Sequence, residues 1–172
     1  MNRWLRNLVL LLQIGGGLWG VGLVGRLFLA EDLTQIAMII HGAFILVFLF
    51  GILAGVALIK KPILGLVLSV IYQGIQIPII ILPAVAYTMF SGATWNVYWH
   101  ETGWGTNLFF GGRFYFYING GQPWCAGVNI LALALFLLLI REIWLQATFS
   151  KISVPELPEI PSGPVYRPSF RQ

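Results

Sequence analysis

TQIAMIIHGAFILVFLFGILAGVALI (residues 34–59), Lys60-Lys61-Pro62, and ILGLVLSVIYQGIQIPIIILPAVAY (63–87) form the stretch that decides the architecture. Each apolar run exceeds the roughly 20 residues that a membrane-crossing helix needs. The lysine pair ends one run, and Pro62 suits the first turn of the next. Thr34 is placed to cap the run it opens. Working outward, Asn7 to Leu29 and Cys125 to Trp144 supply two further spans. Arg3 and Arg6 precede the first run as in a signal peptide. That run is too long, however, and Phe28 stands two residues before Ala30, where cleavage requires a small side chain. The expected fold is an all-α membrane protein, a four-transmembrane-helix antiparallel bundle. Its spans are 7–29, 34–59, 63–87 and 125–144 within a domain 1–150, followed by a proline-rich tail, 151–172.

The charges fit that count. With the N-terminus in the cytoplasm, the inner side receives Arg3, Arg6, Lys60, Lys61, Arg141, Lys151, Arg167 and Arg171, and the outer side only Arg26 and Arg113. Eight against two follows the positive-inside rule. It places the chain in the plasma (inner) membrane with both termini cytoplasmic. Of the 172 residues, 58% are hydrophobic and 9% charged, far from the about 25% charged of a soluble domain. The net charge of +4 has no basic patch behind it, so no nucleic-acid partner is expected. One cysteine, Cys125, excludes an internal disulfide. Two histidines leave no zinc-type cluster, so neither metal nor cofactor is expected. No hydrolase, metalloprotease, phosphate-loop or dinucleotide motif occurs, and an enzyme is not expected.

Within the spans, Gly16 with Gly20 and Gly51 with Gly55 make small-xxx-small pairs, which let helices approach closely, within the bundle or between copies in a homo-oligomer. Pro78 and Pro83 should kink the third span. Polar side chains at depth mark candidate sites. His41, Gln73, Gln76 and Asn129 are the candidates for an outward-facing polar pocket, against the simpler reading of interhelical hydrogen bonds. No acidic or basic residue sits in the bundle centre, which argues against ion-coupled transport.

The outer loop, 91–124, holds eleven aromatic residues and only Glu101 and Arg113 as charges. Such a surface must lie at the membrane interface, cover the bundle or meet a partner. A β-hairpin is expected, with Gly111-Gly112 as its turn, Phe109 facing Phe114 and Leu108 facing Tyr115. Tyr87 to Phe90 or Val97 to Trp99 could add a strand. Trp95, Trp99, His100, Trp104 and Arg113 are the lid candidates over the pocket. The run Trp95-Asn-Val-Tyr-Trp99-His100-Glu101, with His41 on the same side, is similar to the tryptophan-rich outer segments of membrane haem-handling proteins. It departs from their WGxxWxWD pattern at nearly every defining position. That resemblance implies a haem-handling protein as a further alternative, although a buried b-type haem needs two histidines on the helix bundle and His100 lies in a loop.

In the tail, Pro155, Pro158, Pro161 and Pro164 recur every third residue, the polyproline II period, and offer one edge to a cytoplasmic partner. The leading expectation is a non-enzymatic structural or interaction component of a membrane assembly, with the lipid bilayer and another membrane protein as partners. The alternative is a carrier or permease-like protein for a small ligand or lipid.

Overall fold

A computed structural model describes residues 1–30, 33–121 and 123–151. The proline edge of the tail lies outside the described residues. The chain forms four helical rods and a four-stranded antiparallel sheet, which overturns the all-α bundle. The first rod joins α1 (Arg3–Leu10), a π-turn (Leu11–Gly15) and α2 (Gly16–Ala30). The others are α3 (Gln35–Lys60), α4 (Pro62–Gln76) and α5 (Ile130–Lys151). Three helices are long and apolar enough to cross a membrane: Arg3–Leu29, Gln35–Lys60 and Ile130–Thr148. Thr34 caps α3, its Oγ1 accepting from Ala37 N at 3.3 Å, and Pro62 opens α4.

The third span fails as a helix after Gln76. Pro78 can neither donate into a helical ladder nor clear the carbonyl four residues back. The β-branched Ile79-Ile80-Ile81 then favours extended chain. Pro78 therefore begins β1 (Pro78–Ile81) instead of kinking a helix, and Pro83 sits in the turn after it. α4 is left with 15 residues, about 22 Å at 1.5 Å per residue. The fourth span is displaced as well. Cys125–Asn129 is strand β4, and the helix starts at Ile130. Asn129 decides that boundary, since its Oδ1 accepts from Ala132 N at 3.2 Å as an N-cap.

The hairpin is larger than expected and turns elsewhere. β2 (Val85–His100) pairs with β3 (Gly103–Ile118) along its whole length, from Val85↔Ile118 to His100↔Gly103, so the turn is Glu101-Thr102. Phe109 faces Thr94, Phe114 faces Met89, Leu108 faces Trp95 and Tyr115 faces Thr88. Gly111 and Gly112 lie in mid-strand. A glycine pair inside a strand marks a bend or a close backbone approach, and here it marks both.

The bend follows from the pairings. β1 is antiparallel to β4 and to the start of β2, while β4 is antiparallel to the end of β2. The two ends of β2 therefore run in opposite directions, and the strand doubles back between Tyr87 and Asn96. Gly92 (φ +92°) and Gly111 (φ +127°) are cross-strand partners at this corner, in conformations that side chains rarely adopt. The hairpin is thus folded across its middle. Closed through β1 and β4, it makes a small cup.

The corner rests on the first rod. A side chain at Gly16 would overlap Gly92 N, and one at Gly112 would lie 3.1 Å from Gly20 Cα. Gly16 is close to the midpoint of its 27-residue apolar helix. The Gly16/Gly20 stripe therefore seats the sheet corner, with Phe48 also against Gly20. Gly51 gives room to Tyr72, and Gly55 to Ile14. Beyond the corner, Leu5, Val9, Leu58, Leu66, Leu135 and Leu139 form one core. Beside the first arm of the hairpin, Val24, Phe44, Phe48, Tyr72 and Met89 form another. The N-terminal ammonium meets Glu142 at 3.1 Å, so the chain's start lies beside the later part of α5.

Candidate functional site

The inner face of the folded hairpin mixes polar and apolar side chains. Alternation along a strand places every second residue on one face. In β2 the inward set includes Thr88, Phe90, Asn96 and Tyr98, and in β3 Asn107, Arg113 and Tyr115. With Ile79, Ile81 and Cys125 they line a cavity of about 220 Å³. At about 30 Å³ per water, this is room for roughly seven waters or one small molecule.

An asparagine row crosses three strands here. Asn107 pairs with Asn96 across β3 and β2, and Asn96 with Asn129 across β2 and β4. Asn96 Nδ2 donates to Asn107 Oδ1 at 2.8 Å, and Thr94 Oγ1 donates to Asn96 Oδ1 at 2.6 Å. Two polar atoms of this region, Thr88 Oγ1 and Asn129 Nδ2, are buried without a hydrogen-bond partner. A buried polar group left unpaired costs about 1–3 kcal/mol, so these two mark places where a ligand or water would be held. Arg113 lines the cavity and is exposed, and among the described residues it has no ion pair. Burial pushes the Cys125 thiol above its ordinary value. That disfavours the thiolate a nucleophile needs.

The sequence-derived candidates are spread over several places. Gln76 supports the corner, its Oε1 accepting from Ser91 N at 2.8 Å and its Nε2 donating to Tyr72 O at 3.4 Å. Gln73 is buried on the same helix. Asn129 joins the asparagine row and caps α5. His41 stands apart on α3, edge-on to Phe28 (5.9 Å) and Phe114 (5.2 Å). Of the lid residues, only Arg113 lines the cavity. Trp95, Trp99 and Trp104 fall on the opposite face of the sheet and are 51%, 52% and 75% exposed, with Trp99 and Trp104 stacked at 5.7 Å. His100 sits at the hairpin tip, its Nδ1 3.0 Å from Thr102 Oγ1 and its ring against Tyr98. The two histidines thus have different neighbours. Among the described residues, no His/Cys/Asp/Glu group could hold a metal ion.

Sequence reasoning missed Thr88, Asn96, Tyr98, Asn107 and Tyr115. The signal was a symmetry: Asn96 and Asn107 are equidistant from Glu101-Thr102, and Gly103 (φ +120°) follows that turn. The comparisons add no relative: no family model, curated protein or solved structure matches this chain.

Proposed function

We propose that the chain is a membrane-resident binding protein with no chemistry of its own, whose cup takes a small polar ligand carrying an anionic group. In this reading the membrane is the plasma (inner) membrane, with both termini cytoplasmic and the cup opening outward. The observation that carries it is the cavity itself: amides and hydroxyls among its lining, the buried and unpaired Thr88 Oγ1, and Arg113, which has no ion pair among the described residues. A guanidinium beside neutral hydrogen-bonding groups suits a carboxylate or phosphate. With the first rod crossing the membrane, the corner at Gly16 would bring strand backbone near the middle of the bilayer. Backbone is tolerated there only when protein covers it and satisfies its polar groups. The bond from Ser91 N to Gln76 Oε1 satisfies one of them.

The test is thermal unfolding of the purified full chain in detergent with a panel of small carboxylates, phosphates and neutral sugars. A ligand at 100 times its Kd stabilises by about 2.7 kcal/mol. The reading expects stabilisation by an anion and its loss in Arg113→Ala. A panel without effect on the wild-type chain, or an unchanged response in Arg113→Ala, would overturn it.

A second reading, an accessory of a larger membrane assembly, is favoured by the outward tryptophans of the second arm. Co-purification from native membranes of the wild-type chain and a Trp99→Ser/Trp104→Ser variant tests it. The same partner recovered equally with both would count against it.

A further inference from the structure

A crevice runs between α3 and the sheet, beside the cup, with which it shares Tyr115. Its deeper part, about 300 Å³, is apolar, with Ala43 and Val47 of α3 facing Met89 and Phe116. The adjoining part, about 660 Å³, shares Ile40 and Phe116 with it and adds Thr34, His41 and Tyr117. Thr34 caps α3 and Val47 lies thirteen residues further on, about 20 Å along the axis. One leaflet holds about half of the ~30 Å hydrocarbon thickness. Polarity therefore falls along the crevice over the length, and in the direction, of a lipid lying with its head near Thr34 and its tail toward mid-membrane.

His41 defines the head. Its Nδ1 lies 2.6 Å from Ala37 O, which can only accept, so Nδ1 carries a proton. In the neutral ring Nε2 is then an acceptor, and it has no partner among the described residues. Phe28 and Phe114 hold the ring edge-on. None of the described residues lining the crevice is a lysine, arginine or carboxylate, so the described lining offers no partner to a charged headgroup. We propose that this crevice binds a neutral membrane lipid with a free hydroxyl, which donates to His41 Nε2 while the hydrocarbon chain lies over Ala43 and Val47.

The test uses the full chain in lipid nanodiscs with a dioleoylglycerol analogue bearing a photoactivatable diazirine in one acyl chain. Unlabelled dioleoylglycerol and its O-methyl ether are the competitors. Crosslinks are expected on residues 39–47 and on the peptides holding Met89 and Phe116. The free alcohol should compete about three- to tenfold better than the ether, the worth of one hydrogen bond. His41→Phe should keep the crosslinks and lose that preference. Ala43→Trp, at an exposed α3 position, should lose the crosslinks at an unchanged Tm. Crosslinks elsewhere, crosslinks undiminished in Ala43→Trp, or equal competition by alcohol and ether against the wild-type chain would overturn the proposal. So would a preference that survives in His41→Phe.

Discussion

The two ends of this molecule solve the same problem differently. At the end where the chain starts, helices meet helices through Leu5, Val9, Leu58, Leu66, Leu135 and Leu139. Toward the other end, α4 stops after 15 residues, and a folded hairpin occupies the space beyond it. Both ends are apolar, so composition does not separate them. They differ in what the backbone requires. A helix satisfies its own polar groups and can pack on leucine alone. A bent sheet cannot, so it needs glycines where backbones touch and a side chain such as Gln76 to accept from Ser91 N at the corner.

That contrast can be broken most severely at Gly16. Any Cβ there meets backbone at Gly92, which cannot move aside as a flexible side chain would. Gly16→Val is expected to leave no folded, monodisperse protein. Gly22→Val on the same rod, with open space around it, should purify normally. Size-exclusion profiles of the two distinguish a seat for the corner from a general intolerance of bulk.

Gln76→Leu is the next largest effect. It leaves Ser91 N, at the corner, without an acceptor, for a cost of about 1–3 kcal/mol. Thermal unfolding followed by tryptophan fluorescence should detect that loss. Asn129→Ala should cost about 1 kcal/mol through the α5 cap. Because Asn129 also belongs to the asparagine row, ligand stabilisation should fall with it, whereas a residue acting only as a cap would leave ligand response intact. Arg113→Ala is the smallest, since an exposed side chain without an ion pair among the described residues should change stability by less than about 0.5 kcal/mol. Its effect should appear in ligand binding alone.

The same contrast explains what the sequence disclosed. Thr34, Lys60-Lys61 and Pro62 mark helix ends by local chemistry, and those boundaries stand where they were read. Residues 77–87 misled because hydropathy reports apolarity and not its period: a short apolar run reads alike as helix or buried strand. The β-branched triplet after Pro78 was the available clue. Asn129 before a run of leucine and alanine was a helix start in plain form, hidden because Cys125 to Val128 continue the apolar stretch. Gly111-Gly112 was misread as a turn because a glycine pair serves equally for a tight loop and for a strand pressed against another backbone. Only the contact with Gly20 distinguishes these, and that contact spans about ninety residues of chain. The site was hidden for the same reason. Nothing sets Asn96 opposite Asn107 until the turn is placed at Glu101-Thr102.

The central claim is the fold in the hairpin, and one distance tests it directly. Spin labels at Leu82→Cys and Glu101→Cys, in a Cys125→Ser background, flank β2 and lie beside Ile81 and His100. Those two residues are both partners of Cys125, so they are two strand spacings apart, about 10 Å. Pulsed electron resonance should give a label separation on the order of 10–20 Å. A straight β2 of 16 residues would hold the labels about 50 Å apart at 3.3 Å per residue. A distance in that range would contradict the cup and the site within it.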